Sequence, residues 1–155
     1  ADAEWPEIYR YRGELWLRTG ELEKARKDYK KYLYYTGGDS RSWIHYAGAL
    51  YLSEYYIDAL KALAKVNEDL PPSLEPDCLR LKGYCLAEIG KWDSARETLA
   101  AFWELLPDQH LLARDYAYYG FVLILTGDQE TGHALLAHAV AEKSEFADFY
   151  KRLSG

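Results

Sequence analysis

The sequence predicts an all-α fold made of repeated antiparallel helix hairpins, and three observations predict it. Four glycines, Gly13, Gly48, Gly83 and Gly120, follow one another at spacings of 35, 35 and 37 residues. Apolar residues stand four positions before and three positions after each glycine, which places them on one helical face. Seven residues after three of these glycines comes a second glycine, as expected of a tight turn between two helices.

The period divides the chain into four hairpins and one further helix. The predicted helices span residues 7–19 and 22–35, 41–53 and 56–68, 76–89 and 92–105, and 110–126 and 129–142. The corresponding repeats span about residues 6–38, 41–74, 76–109 and 110–144, and a last helix spans 145–154, all within a single domain of residues 1–155. With 49% hydrophobic residues, a chain of this length forms a core without a disulfide or a metal.

Local signals support the helix starts in chain order. Pro6 suits the first turn of the first helix, and either Asp39 or Ser40 suits the N-cap of the third. Asp108 and Asp128 suit the N-caps of the seventh and eighth helices. Residues 68–77 form the one long connection, and their three prolines predict a stiff spacer.

The second repeat departs from the other three. Its turn carries Tyr55 and Tyr56 with no glycine, and Ala59 comes eleven rather than twelve residues after Gly48. We therefore predict a turn that is one residue shorter and has its own local geometry.

The mid-helix glycines predict close packing within each hairpin. Glycine inside a helix costs about 1 kcal/mol relative to alanine, so four at one period imply a close approach of the paired helix. A small residue in the second helix faces that approach in three repeats, namely Ala25, Ala95 and Gly132.

The last segment has helical spacing of its own, with apolar residues at Phe146, Phe149, Tyr150 and Leu153. Two interpretations fit it. It is either a capping helix with a polar outer face, as solenoids usually have, or the first helix of a fifth repeat in a longer array.

The whole pattern resembles the tetratricopeptide repeat (TPR), in which W-x2-L-G-x2-Y in a first helix is followed by A-x3-F-x2-A and P in a second. The resemblance covers nearly the whole chain. It implies a right-handed superhelical solenoid whose first helices line a concave groove that binds a partner. The tyrosine-rich, acidic composition is similar to that of bacterial members.

The resemblance also implies where a partner would bind. Positions three before and one after each glycine face the groove, and neighbouring aromatic residues flank them. The predicted partner-binding residues are Arg10, Tyr11, Glu14, His45, Tyr46, Arg80, Tyr84, Tyr118 and Phe121. Arginine and aromatic residues are typical anchors of protein interfaces.

Some TPR proteins bind the C-terminal carboxylate of a peptide with Lys, Asn and Arg side chains. Here Glu14 stands where asparagine is expected, and His45 and Ala49 supply no second amide. We therefore expect no carboxylate clamp, and instead a partner segment, extended or helical, with acidic and apolar groups.

Composition excludes several function classes. The chain has 19 Lys and Arg against 25 Asp and Glu, a net charge of −6, and no cationic run longer than Lys30–Lys31, which argues against nucleic acid as a partner. The longest apolar segment, Tyr116–Leu125, is too short to span a bilayer, so we expect a soluble protein, cytoplasmic or periplasmic, without membrane insertion.

No catalytic motif is present, and we predict neither an enzyme nor a cofactor or metal site. The sequence lacks a phosphate-binding glycine loop, H-E-x-x-H, G-x-S-x-G and paired C-x-x-C. Its four histidines are scattered. Cys78 and Cys85 are seven residues apart, about 10 Å along one helix, which is too far for a disulfide.

The leading functional hypothesis is therefore a non-catalytic protein-interaction module or scaffold. A secretion-type chaperone for an export substrate is an alternative, motivated by the acidic chain and its aromatic groove. A structural element that self-associates through residues 145–154 is another, motivated by Phe146, Phe149 and Tyr150.

Overall fold

The structure is a computed structural model that describes residues 5–106 and 110–155. Across these residues the chain forms nine α-helices, and no described residue belongs to a β-strand. The helices are α1 (Glu7–Thr19), α2 (Leu22–Thr36), α3 (Ser40–Leu52), α4 (Tyr56–Leu63), α5 (Glu75–Glu88), α6 (Trp92–Leu105), α7 (Ala113–Leu125), α8 (Gln129–Glu142) and α9 (Asp148–Ser154). Short 3₁₀ turns at Pro72–Leu74 and Ser144–Ala147 precede α5 and α9. The fold is all-α, as the sequence predicts.

Contacts divide the chain into two compact units, with the boundary after Leu81 inside α5. Unit 1 contains α1 to α4 and the first half of α5. Its core includes a cluster of Tyr9, Tyr32 and Leu33, against which Trp43 and Tyr46 of α3 pack. A second cluster joins α2 to α3 through Ala25, Tyr29 and Ala49.

Unit 2 contains the rest of α5 and α6 to α9. Its interior is formed by large apolar side chains from every one of these helices. They include Tyr84, Leu86, Leu99, Phe102, Phe121, Leu136 and Phe149. Cys85 is also fully buried here, and burial raises the pKa of its thiol to about 12.

Helix starts follow local chemistry. Asp39 is the N-cap of α3, and its carboxylate accepts a hydrogen bond of 2.8 Å from the backbone N–H of Ser42, which confirms the predicted cap. Pro6 directly precedes Glu7 with helical dihedral angles, φ −62° and ψ −24°, as suits the start of α1. Asp128 occupies the N-cap position of α8 without a side-chain cap bond, and the predicted cap Asp108 lies outside the described residues.

Two helices are shorter than predicted. We expected α4 to reach residue 68, but it ends at Leu63, because Asp69 accepts hydrogen bonds from the backbone N–H and the hydroxyl of Ser40. The backbone N–H of Asn67 also donates to Ser40 Oγ, so the end of this hairpin is held at the start of α3.

We likewise expected α7 to begin at residue 110, but it begins at Ala113. The carboxylate of Asp115 accepts a hydrogen bond of 2.8 Å from the backbone N–H of Leu112. That bond closes the first turn at Leu112 and fixes the start of the helix.

The predicted shorter turn of the second repeat is wrong: three residues, 53–55, separate α3 from α4, as in the third and fourth hairpins, whereas two separate α1 from α2. Its local geometry does differ from that of the first hairpin. Glu54 takes a left-handed conformation there, with φ of 65°, where the first hairpin uses Gly20 at 81°. A side chain in that conformation costs about 1–2 kcal/mol, so this turn carries strain that the glycine turns avoid.

The predicted close approach at the mid-helix glycines holds in three repeats and is wrong in one. A Cβ on Gly13 would lie 3.3 Å from the ring of Tyr29, and one on Gly83 would overlap Leu99. A Cβ on Gly120 would lie 2.7 Å from the backbone oxygen of Gly132. Gly48 has only Leu81 near it, at 4.0 Å, so its lack of a side chain serves no close packing.

Candidate functional site

The first helices of unit 1 carry a cluster of charged side chains around Arg10. Nε of Arg10 donates to Glu7 at 2.8 Å, and Nη1 donates to Glu14 at 3.2 Å. The bond to Glu7 and the charges of both carboxylates raise the pKa of Arg10. All three residues lie on α1, so the helix itself holds the guanidinium in place.

His45 of α3 lies next to this cluster. Its ring meets that of Tyr29 edge-on, with the centroids 6.2 Å apart. Burial lowers the pKa of His45, while the nearby carboxylates of Glu14 and Asp77 act in the opposite direction. His45 is therefore neutral at pH 7 and presents one donor and one acceptor nitrogen.

Arg80 of α5 repeats the arrangement of Arg10. Its Nη1 donates to Asp77, three residues earlier, at 3.1 Å. The charges of Glu14 on α1 and Asp77 on α5 both act to raise the pKa of His45 on α3, so carboxylates of two other first helices lie in the neighbourhood of this ring. We call Glu7, Arg10, Glu14, His45, Asp77 and Arg80 the first-helix face.

The sequence prediction missed two residues of this face and one exposed leucine on α3. Glu7 and Asp77 each stand three residues before the arginine that they bind, and this repeated spacing was the available signal. Leu52 is an exposed leucine seven residues after His45, which places it two turns further along the same side of α3. It is an exposed apolar group about 10 Å from His45 along the helix axis.

The two predicted tyrosines of unit 1 lie in different surroundings. Tyr11 is exposed, and the guanidinium of Arg10 lies 4.4 Å from its ring centroid. Tyr46 instead packs against both core clusters, and burial raises the pKa of its hydroxyl.

The three predicted residues of unit 2 are buried. The rings of Tyr84 and Tyr118 stack with centroids 4.3 Å apart, and the hydroxyl of Tyr84 donates to the buried carboxylate of Asp115. Phe121 and Tyr118 both contact Phe149 of α9, each at 5.1 Å between ring centroids. These side chains fill the interior, so we do not include them in a partner-binding surface.

Helix α9 covers its own unit. Phe146 and Phe149, which motivated self-association through residues 145–154, are buried against unit 2. At its end, Arg152 donates to Glu88 at 2.8 Å and lies over the ring of Phe121 at 4.7 Å. Only Tyr150 of the three aromatic residues remains partly exposed, with its ring stacked on His133.

Residues 5–106 and 110–155 contain no group of three or more His, Cys, Asp or Glu side chains placed to hold a metal ion. In the same ranges, no helix combines the length and the apolar composition that a membrane span requires.

The burial of His45 predicts a pH-dependent stability. Because its pKa is lowered in the folded state, the unfolded chain binds more protons below pH 6.5, the ordinary value for histidine. We expect the free energy of unfolding to fall as the pH drops from 7.5 to about 5.5, and to fall less steeply in His45→Gln. Urea unfolding across this range measures both slopes, and equal slopes would contradict the prediction.

Comparison with known proteins gives structural matches only: no family model and no curated protein matches the chain. YrrB, described as a TPR protein with an unusual peptide-binding site, is 19% identical with a TM-score of 0.69, over 95% of this chain and 74% of that one. MamA from Desulfovibrio magneticus RS-1, residues 41 to the end, is 16% identical with a TM-score of 0.70, over 90% of this chain and 76% of that one. A further MamA structure is 16% identical with a TM-score of 0.69, over 92% and 81% of the two chains. At these identities the likeness concerns the fold, and the helix hairpins of this chain have the fold of tetratricopeptide repeat proteins.

Proposed function

We propose that the chain is a non-catalytic protein-interaction module that binds a peptide segment of a partner on the first-helix face, within the concave groove that the sequence predicts. One observation supports the proposal: the carboxylates of Glu14 on α1 and Asp77 on α5 both act on His45 of α3, and Arg10 and Arg80 are each bound to one of these two carboxylates. YrrB, with a similar fold, is described as having a peptide-binding site, which supports a peptide as the ligand.

The arginines of the first-helix face can exchange a carboxylate of their own helix for a carboxylate of a bound peptide. Arg10 and Arg80 are bound to carboxylates on their own helices, and the side chains of Glu7 and Asp77 are 42% and 47% exposed. The side chains of Arg10 and Arg80 are themselves only 23% and 15% exposed, so a peptide reaches these pairs from the side of their carboxylates. An acidic group of the peptide takes the place of Glu7 or Asp77, while an apolar side chain of the peptide contacts Leu52.

We test this proposal with peptides selected on the immobilised chain from a random displayed library. We expect Arg10→Gln with Arg80→Gln to weaken the selected peptides at least tenfold, because both guanidinium donors are lost. Lys61→Gln on α4 with Lys65→Gln in the turn after it removes the same charge from exposed lysines elsewhere, and we expect it to change affinity less than twofold. Fluorescence anisotropy measures the affinities, after circular dichroism has shown equal helix content.

Selected peptides that bind both double variants equally would contradict the proposed face. Peptides sensitive only to substitutions in other parts of unit 1 would move the binding site away from the first helices.

A further inference from the structure

A second surface of unit 1 lies in the groove between α1 and α2. The groove has a volume of about 580 Å³, and its walls include Arg12 and Trp16 of α1 and Lys24, Lys31 and Tyr35 of α2. We call it the basic groove. Five cationic side chains line it, those of Arg12, Lys24, Lys27, Lys30 and Lys31, although the whole chain carries a net charge of −6.

The only carboxylate in the lining of this groove is already bound. Nε and Nη2 of Arg12 donate to the two oxygens of buried Asp28, both at 2.7 Å. Lys24 lies over the ring of Trp16 at 4.6 Å, and Lys31 over that of Tyr9 at 5.3 Å. The groove therefore combines aromatic walls with a cationic rim.

The repeat itself shows what kind of element fits beside this groove. In the second repeat, Trp43 and Tyr46 of α3 pack against the preceding hairpin, and Leu50 is only 5% exposed. The equivalent residues of α1, at the same distances from Gly13, are Ile8, Tyr11 and Leu15. They are 48%, 61% and 53% exposed, and Ile8 and Leu15 stand four residues before and three residues after Arg12, which lines the groove. The face of α3 that packs against a helix in the second repeat thus corresponds to an exposed face of α1 in the first repeat.

Charge decides which helix fits. In the second repeat the helix received is α2, whose Arg26 lies with Asp58 of α4 around one crevice and over the ring of Tyr55 at 4.6 Å. Asp58 stands directly before Ala59, and the equivalent residue of the first repeat, directly before Ala25, is Lys24. The residue at this position is therefore positively charged in the first repeat and negatively charged in the second. A helix that fits the basic groove has to carry negative charge where α2 carries Arg26.

We propose that the basic groove, with Ile8, Tyr11 and Leu15, binds an acidic amphipathic helix of a partner protein. The apolar stripe of that helix lies on the three exposed residues of α1, and its flanking carboxylates meet the lysines of α2. This surface adjoins the first-helix face at Tyr11, whose ring contacts the guanidinium of Arg10, but its lysines on α2 are not part of that face.

The test uses synthetic helices of about 18 residues with leucines along one side and glutamates beside them. A second peptide has lysine in place of each glutamate, and a third has the acidic composition in scrambled order. We expect the acidic amphipathic helix to bind at least tenfold more tightly than either, as measured by fluorescence anisotropy.

Two pairs of variants locate the site. We expect Lys24→Glu with Lys31→Glu to weaken the acidic helix at least tenfold, and Ile8→Asn with Leu15→Asn to weaken it to a similar degree. The matched control is Lys61→Glu with Lys65→Glu, which makes the same charge change at exposed lysines on α4 and in the turn after it and should alter affinity less than twofold. Peptides selected for the first-helix face should bind Lys24→Glu with Lys31→Glu as they bind the wild type.

Several results would overturn the proposal. Equal binding of the scrambled acidic peptide would reduce the site to a charge effect, and tighter binding of a thymidine oligonucleotide would assign the groove to nucleic acid. A wild-type dimer in sedimentation that Ile8→Asn with Leu15→Asn converts to monomer, with no peptide binding, would make a second copy of this chain the occupant.

Discussion

Replacing Gly120 by alanine is expected to lower the free energy of unfolding of unit 2 by about 3 kcal/mol. The added methyl group would lie 2.7 Å from the backbone oxygen of Gly132 and 2.7 Å from the backbone nitrogen of Leu136. Both contacts are with the main chain of α8, so no side-chain rotation relieves them and the two helices must separate. Urea unfolding followed by circular dichroism measures the loss.

Gly48 provides the matched control, because it occupies the same position of the repeat. A Cβ there would have only Leu81 near it, at 4.0 Å. We expect Gly48→Ala to stabilise the chain by about 1 kcal/mol, since alanine is the better helix former. The same change at one repeat position should therefore give effects of opposite sign, and two losses of equal size would contradict the packing described for α7 and α8.

Replacing Asp115 by alanine is expected to cost about 3–4 kcal/mol in the stability of unit 2. Its carboxylate is fully buried, accepts the hydroxyl hydrogen of Tyr84, and accepts the backbone N–H of Leu112 at the start of α7. Alanine removes both acceptors and leaves the Tyr84 hydroxyl in an interior where it has lost a partner.

A double-mutant cycle with Tyr84→Phe separates the two contributions. We expect the cost of Asp115→Ala to be smaller in the Tyr84→Phe background, because the hydroxyl that would lose its acceptor is already gone. Thermal unfolding of the four proteins measures this coupling. Strictly additive losses would show that the hydroxyl and the carboxylate do not stabilise one another.

The periodic part of the fold could be predicted from the sequence, because hairpin helices repeat the same apolar spacing. The early end of α4 could not. It depends on hydrogen bonds between Ser40 and Asp69, which are 29 residues apart and stand outside the repeat pattern. The start of α7 depends likewise on one carboxylate, Asp115, within a helix that the pattern extends further back.

Of the polar residues in the candidate site, the repeat pattern predicted Arg10, Glu14, His45 and Arg80 but not Glu7 and Asp77. Arg10 and Arg80 stand at one position of the repeat, and each is bound to a carboxylate three residues earlier on its own helix. The burial of Tyr84 and Phe121 was not predictable from spacing, because it depends on what covers a helical face. Phe121 is covered by Phe149 of α9. The sequence pattern predicted that this helix exists but not which side chains it packs against.

The burial of Cys85 gives the chain a natural kinetic reporter. Thiol reagents react with the thiolate, and a fully buried thiol with a pKa of about 12 offers almost none at neutral pH. Modification of Cys85 therefore has to wait for a transient opening of unit 2. The rate at which a thiol reagent modifies Cys85 in the native protein therefore measures how often unit 2 opens, without an introduced label.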